Sequence, residues 1–104
     1  MIGIDLVSIP EFRRQLEIGG ANLVKRAFGE AAVQHRDVDQ LAGMWAAKEA
    51  VYKAAEAPSQ SLTNVMITLD ASGSPHASFE GQRFAVSLSR TAEYVVALAM
   101  RLEK

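Results

Sequence analysis

At 104 residues, 49% of them hydrophobic and 22% charged, the chain is sized for one domain, and residues 1–104 are expected to form it without internal division. The formal net charge of −1 lacks the basic excess of a nucleic-acid binder, and the absence of cysteine excludes disulfides and thiolate metal sites. No apolar run approaches the ~18 residues of a membrane span and Asp5 interrupts the first apolar stretch, so a soluble cytoplasmic protein is the expected class.

In chain order, "MIGIDLV" is short, apolar and rich in β-branched residues, the pattern of a buried strand carrying one acid, Asp5. "SIPEFRRQLE" predicts a first helix with Ser8 as N-cap and Pro10 in its first turn. Gly19–Gly20 breaks that pattern, and "ANLVKRAF" and "GEAAVQHR" predict one or two further short helices. A long helix follows, capped by Asp37 or Asp39, running to about Ala57 and stopped by Pro58. The second half alternates. "LTNVMITLD", "HASFE", "RFAVSLS" and "EYVVALAMRLE" predict strands, with turns at "ASGSP" and Gly81–Gln82. Helices early and strands late, after one N-terminal strand, predict an α+β fold in which helices pack on a mainly antiparallel sheet.

The long helix holds the stretch "WAAKEAVYK". At about 100° per residue, Met44, Ala47, Val51, Ala54 and Ala55 share an arc expected to face the core. Lys48 projects from inside that arc, where a snorkelling stem is one explanation. Glu49 and Lys53 lie one turn apart on its flank, where an i,i+4 ion pair worth about 0.3–0.5 kcal/mol is the structural explanation. The functional explanation starts from Asp5. A carboxylate inside an apolar strand is costly unless paired or bound to a cation. Were Asp5 and Glu49 to converge, they would suit magnesium, which takes one or two carboxylates and shares its other positions with phosphates. Lysines beside such a site would supply a field for phosphate. Spacing alone leaves both explanations standing.

"GIDLVSI", "LAGMWAAKEAVYKA" and "VSLSRT", in that order and at those separations, resemble the 4′-phosphopantetheinyl transferases, in their short holo-acyl-carrier-protein synthase branch. The resemblance covers most of the chain, and "WAAKEAVYKA" is its most specific part. It implies that fold, and transfer of the 4′-phosphopantetheine arm of coenzyme A to a serine of an apo acyl carrier protein, with magnesium as cofactor and 3′,5′-ADP as the other product. It further implies Asp5 and Glu49 as magnesium ligands, Glu49 and Lys53 as catalytic groups, and Lys48, Lys53, Ser87 and Arg90 as coenzyme-binding groups. Trp45 and Tyr52 are expected to be packing residues. The fatty-acid and polyketide pathways are the settings it suggests.

The chain departs from the family pattern at several places. Met44 stands where relatives have a coenzyme-holding arginine. "AEAPSQ" replaces a glycine-containing loop, and Arg90 stands in place of a histidine. The segment before "RFAVSLS" is short, without the helix many relatives have there. A catalytically impaired relative that binds coenzyme A or a carrier protein is the alternative these departures raise. Retention of Asp5, Glu49 and Lys53 favours the enzyme.

The short branch implies a homotrimer with active sites shared between subunits. The last strand fits: Tyr94, Val96, Leu98, Met100 and Leu102 alternate with Val95, Ala97 and Ala99, so both faces are apolar and both expect cover. Arg13, Arg14, Lys25 and Arg26 are the candidate docking patch for an acidic carrier protein, although Glu11, Glu17 and Glu30 intermix with them. His35 and His76 have no partner at ligand spacing and receive no role.

Overall fold

The structure, a computed structural model, describes residues 1–29, 37–56 and 58–103. Its elements are β1 (Ile2–Ser8), α1 (Ile9–Phe28), α2 (Val38–Ala54), a 3₁₀ turn (Leu62–Asn64), β2 (Met66–Leu69), β3 (Pro75–Phe79), β4 (Gln82–Arg90) and β5 (Tyr94–Arg101). The five strands form one antiparallel sheet in the order β1-β5-β4-β3-β2. This is the expected α+β arrangement of helices on an antiparallel sheet.

Local chemistry sets the helix ends. The Ser8 hydroxyl accepts the Glu11 N–H at 3.3 Å, and Pro10 lies in the first turn, where its missing N–H costs nothing. The break expected at Gly19–Gly20 is a kink inside α1, where Gly20 takes φ 57° and ψ −148°. Asp37 rather than Asp39 caps α2: its carboxylate accepts the N–H groups of Asp39 (3.0 Å) and Gln40 (3.3 Å). The helix ends at Ala54, short of the expected Ala57, because Ala55 is already extended (φ −74°, ψ 137°). The expected helix through "GEAAVQHR", with Glu30 and His35, lies beyond Gly29 and outside the described residues.

The strand register shows where turn chemistry was misplaced by one residue. The β3–β4 turn is centred on Glu80 and Gly81, both at positive φ (50° and 75°), with Phe79 facing Gln82. In the β2–β3 turn, Asp70 accepts the N–H groups of Ser72 and Ser74 at 2.9 and 3.0 Å. Its other carboxylate oxygen meets His76 Nε2 at 2.9 Å. These bonds, the Ser72 hydroxyl foremost, hold the Asp70 carboxyl well below the usual carboxylate range. "LTN" is a 3₁₀ turn, so the second strand starts only at Met66.

One face of the sheet is covered by α2. Val7 of β1, Val95, Ala97 and Ala99 of β5, and Phe84 and Val86 of β4 are buried with Ala46, Ala47, Ala50, Val51 and Ala54 of the helix. Small residues on both sides allow a close approach. Met44 is corrected here: at 40% exposed it lies outside the core, because the buried face of α2 also takes in Leu41, Ala42, Ala46 and Ala50. The opposite sheet face is apolar and open. Ile2, Ile4 and Leu6 of β1 pair with Met100, Leu98 and Val96 of β5; all but Val96 are between 45% and 65% exposed.

Candidate active site

Asp5 lies on the helix-covered face of β1, opposite Ala97 in the register. Its side chain keeps only 15% exposure, yet it has a partner: Lys53 Nζ lies 2.9 Å from Asp5 Oδ1 and donates also to the Ile4 carbonyl at 3.2 Å. Lys53 reaches across from the last turn of α2, so the expected partner of Glu49 is instead tied to the strand. Glu49, one turn earlier, completes the cluster electrostatically. Burial raises its pKa first, the negative charge of Asp5 raises it further, and the Lys53 ammonium offsets part of the rise. The convergence of Asp5, Glu49 and Lys53, which spacing could not establish, is therefore present.

Beside this cluster is a cleft of about 270 Å³, lined by Asp5, Glu49 and Trp45 together with Ser8, Glu11, Phe12 and Gln15. Nothing in the sequence alone puts Ser8, Glu11 or Gln15 at the site: Ser8 is expected there as a cap and Glu11 as a surface acid. Their signal was present: positions 8, 11, 12 and 15 follow helical spacing directly after the strand that carries Asp5. Trp45 packs edge-on to Phe28 with centroids 5.9 Å apart, and Tyr52 lies 5.9 Å from Phe79, so both are packing residues as expected.

Lys48 is placed differently from Lys53. It is 5% exposed, and its ammonium donates to the main-chain carbonyls of Val65 (2.7 Å) and Thr63 (3.2 Å). Burial lowers its pKa. Thr63 Oγ1 in turn donates to the Arg26 carbonyl at 2.9 Å, so this network joins α2, the 3₁₀ turn and the end of α1. The arc position anticipated the buried stem, but the ammonium ends on carbonyls rather than in water. Contact with a coenzyme phosphate would require it to leave both. Lys48→Met keeps the stem and removes the donor. It is expected to lower stability by about 1–3 kcal/mol, read by urea unfolding, because two inward carbonyls lose their partner. An unchanged midpoint would contradict this assignment.

The other two sequence candidates lie apart from the cluster. Ser87 pairs with Leu98 and is exposed on the open sheet face, opposite to the side that holds Asp5. Arg90 closes β4 on the helix side, and its guanidinium meets Asp39 of the first turn of α2 at 2.8 Å. That pair lies on a second cleft of about 430 Å³, with Met44, Ile67 and Leu88 among its walls. Asp39 and Glu49 are ten residues apart, about 15 Å along the helix axis. One copy thus holds the Asp5–Glu49–Lys53 cluster and the Arg90–Asp39 pair at opposite ends of α2.

The model of the 4′-phosphopantetheinyl transferase superfamily matches residues 1–99. A holo-[acyl-carrier-protein] synthase of Verminephrobacter eiseniae is 33% identical over 118 residues, covering 95% of this chain and 90% of that protein. Among solved structures, the holo-[acyl-carrier-protein] synthase of Neisseria meningitidis superposes with a TM-score of 0.83 at 26% identity, covering 98% of this chain and 97% of its own. The Helicobacter pylori protein of that name, solved with coenzyme A, shares the fold with a TM-score of 0.84 at 22% identity, over 98% and 100% of the two chains.

Proposed function

Because the chain belongs to the 4′-phosphopantetheinyl transferase superfamily, we propose that it transfers the 4′-phosphopantetheine arm of coenzyme A to a serine of an apo acyl carrier protein, acting as one domain over residues 1–104. The observation that carries the assignment of residues is the Asp5–Glu49–Lys53 cluster on its cleft. In the reaction the serine oxygen forms a bond to the β-phosphorus of coenzyme A. The bridging P–O bond breaks, and 3′,5′-ADP leaves. Negative charge grows on the phosphoryl oxygens and on the leaving phosphate.

Each side chain has a task set by its surroundings. Lys53, fixed by Asp5 and the Ile4 carbonyl, presents a positive charge to the pyrophosphate. Glu49, whose proton affinity is raised by burial and by Asp5, is suited to accept the serine proton. The donor set also fits magnesium: two carboxylates of two packed elements converge, and among the described residues they form no larger cluster of histidines and acids. Asp5 and Glu49 would hold the ion, which when bound neutralises charge on the phosphoryl oxygens. Arg90 serves the coenzyme from the other end of α2, whereas Ser87, on the opposite sheet face, would reach it only across a subunit boundary.

The separation of the acidic cluster from the Arg90–Asp39 pair favours active sites that lie between subunits, in the homotrimer that the family resemblance implies, with the open face of β1 and β5 as the buried surface. Leu98→Glu places a charge at the middle of that face. It is expected to yield a folded monomer by sedimentation equilibrium, and a persistent trimer would exclude this face as the interface. Arg13, Arg14, Lys25 and Arg26 are exposed on α1 and offer an acidic carrier its docking charges, with Arg14 steadied by Glu11. We place the reaction in the cytoplasm, in fatty-acid or polyketide synthesis. Among the described residues no helix is long and apolar enough to cross a membrane.

Chromatography of 3′,5′-ADP, with coenzyme A, magnesium and an apo acyl carrier protein present, tests the reading. Release that stops when the carrier is omitted or magnesium is chelated is expected. Tight coenzyme binding without release would instead identify a binding module.

A further inference from the structure

The Arg90–Asp39 pair occupies an unusual place for a surface ion pair. It stands on the 430 Å³ cleft, whose other walls include Met44, Ile67, Leu88 and Val95. Arg90 and Asp39 are 51% and 41% exposed, so an anion entering the cleft can reach the guanidinium. The backbone beneath Arg90 is fixed without Asp39's help: Arg90 pairs with Val95, and Thr91 N–H donates to the Tyr94 carbonyl at 2.8 Å. Asp39 is fixed too, since its N–H donates to the Asp37 carboxylate at 3.0 Å. The carboxylate is thus not needed to hold the strand that carries Arg90, while it fills part of the guanidinium's donor edge and offsets part of its charge. A phosphate has to share or displace it.

We infer that Asp39 is a built-in competitor for the anion site of Arg90, a carboxylate that coenzyme A's 3′-phosphate must displace, so that Asp39 sets the coenzyme's apparent affinity. This rests on the transferase reading above. The choice of phosphate follows from that reading. The pyrophosphate is assigned to Asp5, Glu49 and Lys53, of whichever subunit completes the site, which leaves the ribose 3′-phosphate as the coenzyme's remaining anion. Met44 and Leu88 offer an apolar wall beside it, of the kind a purine ring packs on.

The test compares wild type, Asp39→Asn and Asp39→Glu with coenzyme A and with 3′-dephospho-coenzyme A as donors. Asp39→Asn keeps the shape and removes the charge. Its KM for coenzyme A is expected to fall by about three- to fivefold, the scale of an exposed ion pair, with kcat unmoved. Its KM for the dephospho donor is expected to stay at the wild-type value, and Asp39→Glu to behave as wild type. A KM for coenzyme A that rises would make Asp39 a positioning residue. An unchanged KM would make it a bystander, and either result overturns the inference. Calorimetric titration of coenzyme A into the same proteins separates the two layers of the argument. Wild type that binds but transfers nothing contradicts the transferase reading, whereas Asp39→Asn that binds no tighter contradicts the competitor.

Discussion

Glu49→Gln is expected to lower transfer by about 10²–10³-fold without loss of fold, and Asp5→Asn to do the same. The size follows from removing one fixed charge from a site that must stabilise charge growing on phosphoryl oxygens. For Glu49→Gln, retention of the fold follows from its raised pKa. A carboxyl whose pKa is raised in the folded state binds its proton more tightly there than in the unfolded chain. Its stabilising contribution is complete at low pH and is lost as pH rises through the folded value, and above that value the ionised Glu49 works against folding. Glutamine removes both its burial cost and its repulsion with Asp5. Urea unfolding should give Glu49→Gln a midpoint equal to or above wild type, while mass analysis of a carrier protein shows little transfer. A variant that unfolds, or one that transfers at the wild-type rate, would contradict the assignment of Glu49.

Gly3→Ala is expected to be the most damaging of the glycine-to-alanine changes. A β-carbon built there would lie 1.9 Å from the Ala50 carbonyl oxygen and 2.7 Å from the Ala54 nitrogen. Both are backbone atoms of α2, so no side chain can turn aside, and the strand and helix would have to separate. The same contact sets the reach between Asp5 and Lys53, because Asp5 follows Gly3 on the strand and Lys53 precedes Ala54 on the helix. The expected cost is about 3 kcal/mol or more, at the upper end for overpacking against a rigid neighbour. Transfer should fall even in the folded fraction. Gly43→Ala is the control: it adds a methyl inside α2 where nothing lies within 4 Å, and should raise stability by about 0.5–1 kcal/mol. Similar urea midpoints for Gly3→Ala and wild type would contradict the close packing of β1 on α2.

The strands and both helix starts were legible because their causes are local. A short apolar, β-branched run marks Ile2 to Ser8, two alternating apolar faces mark Tyr94 to Arg101, and Ser8 and Asp37 carry their caps in their own side chains. Asp5 announced the site by sitting where an acid is expensive. What failed to show depended on neighbours distant in sequence. Helical spacing offers Glu49 as the partner of Lys53, and only the packing of α2 on β1 gives it Asp5 instead. The end of Lys48 was decided by the carbonyls of Thr63 and Val65, which no helical wheel contains. Met44 shared the apolar arc, but the sheet, the 3₁₀ turn and α1 surround the helix unevenly and leave that position open. Asp39 was weighed as a cap, whereas Asp37 caps and Asp39 meets Arg90 from the far end of the sheet.

The central claim is group transfer, and intact mass spectrometry of an apo acyl carrier protein tests it most directly. After incubation with this protein, coenzyme A and magnesium, the carrier should gain one phosphopantetheine arm, and the gain should vanish without magnesium or with Glu49→Gln. A folded protein that leaves several apo carrier proteins at their starting mass would contradict the account.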